Sequence, residues 1–292
     1  MNKYLIFRTD RIGDFLISSI LIKCIKRNDA NSHITIISSD KNHSYIKKFP
    51  YVDKVIKLEN SFFGKLSIIF ELRKFKFKNI IIHDDKKRSK IISYFLKYNN
   101  KLLITNQNKF THIEIIKKIL KKLDFSFFED SLNIFNHKKK GHRSEDFFQL
   151  HFDEKWIYND YIKKFKNIEP SAEELFDFIQ KIQKKLQMNL VITTGLNTPD
   201  ILKAISPKLT DSKIRIIEDL DFTKLEEITF NSKLLVSCHG ALSHVASAYN
   251  INQIDIIDRS YNYSRWTDHF RNYQFIYRDN FELLSKNILK KL

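Results

Sequence analysis

The stretch "KYLIFRTDRIGDFLISSILIKC", Lys3 to Cys24, places an apolar run, a charged turn and a second apolar run side by side. "KYLIF" has the length and composition of a strand, whereas Leu16, Ile17, Ile20, Leu21 and Cys24 recur at the spacing of one helix face. Between them Arg8, Asp10, Arg11 and Asp14 crowd a turn that also holds Gly13, one of five glycines in the chain. A strand, a short turn and a core-facing helix open a βα unit, which predicts α/β architecture with a parallel sheet.

The alternation continues outward from this unit. Strands are expected at 33–37, 54–58, 79–83 and 101–105, with helices at 14–27, 41–48, 62–75, 87–98 and 111–123. Phe62, Phe63, Phe70 and Phe75 fall at helical spacings and are expected in the core. The segment "NHKKKGHRSED", 136–146, has no apolar residue and reads as a linker. Beyond it strands are expected at 147–152, 189–194, 213–217, 233–237, 253–257 and 274–278, with helices at 156–166, 171–187, 198–205, 241–249 and 281–291. The chain of 292 residues therefore divides into two doubly wound domains, 1–140 and 141–292, with the last helix a candidate to pack back on the first domain.

The net charge of +17 is unevenly spread: residues 1–140 hold 30 Lys and Arg against 13 Asp and Glu, and the remainder hold 21 of each. A basic first half attracts an anionic partner, whether nucleic acid, an acidic membrane surface or a phosphorylated substrate, unless the lysines only solvate a surface. Two cysteines, Cys24 and Cys238, exclude a disulfide scaffold and fit a reducing, cytoplasmic setting. No stretch has the apolar core of a secretory signal or the roughly 18 apolar residues of a membrane span.

Ligands of doubly wound sheets gather beyond the carboxyl ends of the strands, so the turns there come first. Gly13 lets a backbone approach a ligand or take a positive φ, and Asp14 falls at the cap or first turn of the helix, where a carboxylate stays ionised. No GxGxxG dinucleotide fingerprint is present. In "QLHFDEKW", 149–156, Lys155 can meet a phosphate as a point charge, or lie on the surface beside a core Trp156. In "LLVSCHGALSHVASAYN", 234–250, Ser237, His239, Gly240, Ser243 and His244 crowd a strand end and helix start, a pattern suited to a diphosphate. Cys238 with His239 and His244 lacks a nearby fourth zinc ligand, and no GxSxG elbow marks a serine hydrolase.

These three stretches together resemble the ADP-heptose:lipopolysaccharide heptosyltransferase family, the inverting GT-B enzymes of glycosyltransferase family 9. "RTDRIGD" matches the family's turn after the opening strand, "HFDEKW" echoes its K-x-W or K-W element, and "CHGALSHVASA" approximates its late D-[ST]-G-x-x-H-x-A-x-A motif. The sequence departs from that motif at Cys238, where Asp is usual, at His239, where a hydroxyl residue is usual, and in the spacing from Gly240 to His244. The resemblance implies two Rossmann-like domains facing across a cleft, and no cofactor or metal. It implies Asp14 as general base, Arg8, Arg11 and Gly13 at the acceptor, and Lys155, Ser237, His239, Gly240, Ala241, Ser243 and His244 at the donor diphosphate. The implied donor is a nucleotide sugar like ADP-heptose. The implied acceptor is an anionic lipid-linked glycan, met by a cytoplasmic or peripheral membrane protein. Another donor in capsule or surface-glycan synthesis, a non-catalytic relative and a nucleic-acid-binding protein are the competing readings.

Overall fold

The structure is a computed structural model that describes residues 1–105, 107–135, 146–157 and 165–292. The expected linker, apart from Asp146, and most of the helix expected at 156–166 lie outside the described residues. The chain forms two compact units. Unit 1 is Met1–Ile134 with Ser264–His269, and unit 2 is Phe135–Tyr263 with Phe270–Leu292.

Unit 1 runs β1 (Asn2–Phe7), α1 (Ile12–Asn28), β2 (Ser32–Ser38), α2 (His43–Ile46), β3 (Lys54–Lys57), α3 (Phe62–Leu72), β4 (Lys76–Ile82), α4 (Lys87–Tyr94), β5 (Lys97–Leu103) and α5 (His112–Lys122). Its sheet has the order β3-β2-β1-β4-β5, every pairing parallel. Right-handed crossovers that step outward from β1 and then return to β4 put α1 and α3 on opposite faces. Ile68, Ile69 and Leu72 of α3, with Ile92 of α4 and Leu96, share one core layer with Leu5, Phe7, Ile80 and Ile82 of the sheet.

Unit 2 runs β6 (Phe147–His151), α6 (Ala172–Leu186), β7 (Asn189–Thr193), α7 (Asp200–Ile205), β8 (Ile214–Ile217), α8 (Phe222–Asn231), β9 (Leu234–Cys238), α9 (Ala241–Ala248), β10 (Asn252–Ile257), β11 (Tyr273–Tyr277) and α11 (Phe281–Lys291), while the short α10 (Ser264–Thr267) belongs to unit 1. The order β11-β10-β9-β6-β7-β8 is again parallel throughout. Phe178 of α6 meets Phe281 of α11 edge-on, so the last helix packs inside unit 2. Leu225 of α8 and Leu242 and Ala246 of α9 close a separate core cluster over Leu235.

Three expectations need correction. Strand β5 begins at Lys97 and not 101, because "KYNN" pairs with β4 along a sheet edge where polar residues are tolerated. Helix α8 was not expected. Its start is fixed by Asp221, whose carboxylate accepts from the Lys224 amide at 2.9 Å. Phe62, Phe63 and Phe70 are exposed, since the inner face of α3 is already filled by Ile68, Ile69 and Leu72.

Candidate functional site

In each sheet the strand order reverses once, between β1 and β4 in unit 1 and between β6 and β9 in unit 2, and each reversal makes a topological switch point within its own unit. In unit 1 the turn after β1 is a charge network. Arg8 is 2 % exposed and points inward: its Nε donates to the Asp14 carbonyl at 2.9 Å and its Nη1 to the His83 carbonyl at 3.0 Å and to Asp10 at 3.1 Å. Lys86 pairs with Asp10 and donates to the Thr9 carbonyl at 2.9 Å. Asp84 takes the Thr9 hydroxyl at 2.6 Å and the Ser89 hydroxyl at 2.7 Å. Burial, then the charges of Arg8 and His112, hold His83 well below the ordinary imidazole range, so the neutral ring shares a 2.8 Å hydrogen bond with Ser18.

Asp14 stands in the first turn of α1, where its carboxylate accepts from the Arg11 amide at 3.3 Å. It lines a cavity of about 380 Å³ with Asp10, Arg11, Lys41, Lys86 and Arg88. Asp14 is thus a helix cap and a cavity-facing carboxylate at once. The expectation that Arg8 meets the acceptor is corrected, because its guanidinium is buried against backbone carbonyls; Arg11, Lys41, Lys86 and Arg88 are the cations at the cavity. Gly13 is buried within α1, a helical position and not a left-handed turn.

In unit 2 the turn after β6 does the reverse. Asp153, with a side chain 3 % exposed, receives Lys155 Nζ at 2.5 Å and lies 3.4 Å from His151 Nε2. Burial alone would raise the Asp153 carboxyl, but the Lys155 charge and the His151 hydrogen bond outweigh it and hold it well below the carboxylate range. Burial likewise opposes the charged form of Lys155, but Asp153 raises its ammonium above the ordinary lysine value. Lys155 therefore stays a cation, 21 % exposed, at the wall of a cavity of about 540 Å³. Arg278 fixes its backbone, Nη2 donating to the Lys155 carbonyl at 2.8 Å. Trp156 is core, its indole N–H donating to the His151 carbonyl at 2.8 Å.

The turn after β9 lines the same cavity through Cys238, Gly240, Ala241 and Leu242. A Cβ on Gly240 would come within 3.0 Å of Lys155 Nζ, so the missing side chain makes room for the ammonium. The amides of Ala241 and Leu242 open α9 and have no carbonyl to meet within the helix. Leu196, Leu220, Phe222 and Leu225 add apolar side chains to the lining. Burial pushes the Cys238 thiol up to about 12, and it donates weakly to the Lys155 carbonyl at 3.7 Å.

The remaining expected donor residues stand behind this turn. His239 Nδ1 lies 2.6 Å from Asp255, and Ser243 donates to the other Asp255 oxygen at 2.8 Å while accepting from the Gly240 amide at 3.2 Å. His244 packs against His239 and Phe270, and Ser237 is buried within β9. These four brace the turn and do not line the described cavity. Asp255 is one residue sequence reasoning passed over: the carboxylate absent at Cys238 stands on the next strand, paired opposite Ser237. A lone Asp inside the apolar strand "QIDII" was its signal. Asp153 and Arg278 were also missed. Among the described residues no three His, Cys, Asp or Glu side chains gather as a metal site. No helix among the described residues is long and apolar enough to cross a membrane.

No protein-family model matches the sequence, and no curated protein matches it. Solved structures do match. Escherichia coli heptosyltransferase WaaC with ADP superposes with TM-score 0.74 at 13 % identity, covering 99 % of this chain and 100 % of that one. A family 9 glycosyl transferase from Veillonella parvula gives 0.70 at 13 % identity, covering 99 % and 91 %. The UDP-GlcNAc 2-epimerase of Methanocaldococcus jannaschii gives 0.57 at 12 % identity, covering 100 % and 92 %. The chain therefore has the two-domain Rossmann-like GT-B fold of these nucleotide-sugar proteins, the fold expected from its heptosyltransferase-like turns.

Proposed function

We propose that this chain is a glycosyltransferase like the heptosyltransferases, moving a heptose-like sugar with inversion from a nucleoside diphosphate to an acceptor hydroxyl. The observation that carries the reading is the unit 2 cavity, where Lys155, held as a cation by Asp153, stands beside Gly240 in a lining shared with Ala241 and Leu242 of α9 and with apolar side chains. An ammonium and helix-terminal amides suit a diphosphate, and Leu196, Leu220 and Phe222 suit a flat base. ADP is the first candidate nucleotide because the WaaC structure binds it.

In this reading the acceptor oxygen attacks the anomeric carbon and its proton passes to the Asp14 carboxylate. The bond from that carbon to the diphosphate breaks, and the electron pair leaves with the diphosphate, whose charge meets Lys155 and the amides of Ala241 and Leu242. The charge neutralisation a metal ion supplies in other transferases falls to Lys155. An anionic glycan acceptor fits Arg11, Lys41, Lys86 and Arg88 around Asp14. A heat-shift series with ADP-, GDP-, UDP- and CMP-sugars tests the donor. Stabilisation by ADP-heptose above the others supports the reading, and no shift with any of them removes it.

A further inference from the structure

Six large apolar side chains of unit 1 face solvent on α3, α4 and the residue that follows: Phe62, Phe63, Phe70, Ile91, Tyr94 and Phe95, with Phe63 80 % and Tyr94 71 % exposed. The inner faces of both helices are packed in one core layer on the sheet, so these side chains lie on the outer faces of the same layer. Residues 62–101 also hold 11 Lys and Arg against 3 Asp and Glu, and Arg73, Lys74, Lys76, Lys87 and Lys97 are exposed. Apolar side chains of this size on a shared outer face mark an interaction surface, and a basic surround selects an anionic partner.

We infer that the outer faces of α3 and α4 dock unit 1 on an anionic lipid bilayer, the six apolar side chains entering the headgroup boundary and the surrounding lysines meeting lipid phosphates. Aromatic and aliphatic side chains flanked by Lys and Arg are what the interface of a membrane holds. Phe and Ile carry no polar edge and stand on the outer faces of two helices, whereas a single-stranded nucleic acid needs a groove that tracks its backbone. The face is continuous with the Asp14 cavity. Asn60 and Arg88 line that cavity and are joined by a 3.2 Å hydrogen bond, and Ser61 caps α3 immediately before Phe62. The inference rests on the transfer reading only for its purpose: an acceptor anchored in the bilayer would offer its polar head at Asp14 without leaving the membrane.

Co-sedimentation with phosphatidylcholine vesicles, with and without phosphatidylglycerol, tests it. The wild-type chain binds the anionic vesicles at least about tenfold more tightly, and salt near 0.5 M, where screening shortens to a few ångströms, releases it. The triple variant Phe63→Ser, Phe70→Ser, Tyr94→Ser loses at least about tenfold in vesicle binding, with unchanged thermal midpoint and unchanged ADP binding. Four results overturn the inference: wild type that ignores anionic vesicles, a triple variant that binds them as wild type does, tighter binding of an oligonucleotide through the same three side chains, or a wild-type dimer that the variant splits in light scattering. Vesicle binding without ADP binding supports this inference and removes the donor reading.

Discussion

After β1 the chain turns through Arg8, Thr9, Asp10 and Arg11 into a helix whose first turn shows a carboxylate. After β6 it turns through Asp153 and Glu154 to show an ammonium. Both turns lie at the switch point of their sheet, yet one sets a carboxylate among cations at its cavity and the other sets an ammonium on a buried carboxylate. In unit 1, Asp10 and Asp84 engage Arg8, Lys86, Thr9 and Ser89, leaving Asp14 with the Arg11 amide. In unit 2 a buried carboxylate is spent on keeping one lysine charged. A switch point specifies where a ligand meets the sheet; the neighbours of each turn specify the sign of the charge it finds.

Removing the carboxylate that unit 1 displays has the largest expected effect. Asp14→Asn keeps an acceptor for the Arg11 amide and is expected to lower the transfer rate by at least about a hundredfold, measured as sugar transferred at saturating donor. An unchanged rate would return Asp14 to the role of a helix cap. In unit 2, Asp153→Asn leaves the Lys155 ammonium without its counter-charge and is expected to destabilise the chain by about 2 kcal/mol in a denaturant titration, the partial exposure of Lys155 keeping the loss modest. A variant as stable as wild type would show that the pair contributes nothing net.

Smaller changes sharpen the same contrast. Gly240→Ala pushes against the end of Lys155 and is expected to weaken nucleotide binding by roughly threefold to tenfold without unfolding, since only a flexible side chain must move. The pair also sets a pH window. A carboxyl held below its unfolded value stabilises the fold above about pH 4, and that contribution drains away as pH falls toward the folded value. An ammonium raised above its unfolded value contributes below about pH 10, and its share is lost as pH rises through the folded value. The contribution of the pair, read as the stability difference between wild type and Asp153→Asn, is expected to be flat between those limits and to shrink below pH 4. A difference that shrank near neutrality would mean that the Lys155 charge does not carry the effect.

Much of this contrast was legible in the sequence. The alternation of apolar runs placed all eleven strands of the described residues, and the strand-end turns pointed to Asp14, Lys155 and Gly240. Burial direction was not legible. Arg8 reads as an exposed cation in a turn, but the carbonyls of Asp14 and His83 draw it inside. Helix α3 carries apolar residues on both faces, so its spacing could not show that Ile68, Ile69 and Leu72 face the sheet and the phenylalanines face water. Asp255 and Arg278 were hidden for another reason: their partners lie on other strands or turns, and only folding brings them together.

The central claim, that unit 2 holds the donor diphosphate through Lys155 while Asp14 serves only the proton, is tested most directly by titrating ADP into three chains in a calorimeter. Wild type and Asp14→Asn are predicted to bind ADP equally, and Lys155→Ala to bind it at least about tenfold more weakly, the loss of one charge-assisted contact to phosphate. Equal binding by Lys155→Ala, or loss of binding in Asp14→Asn, would contradict the account.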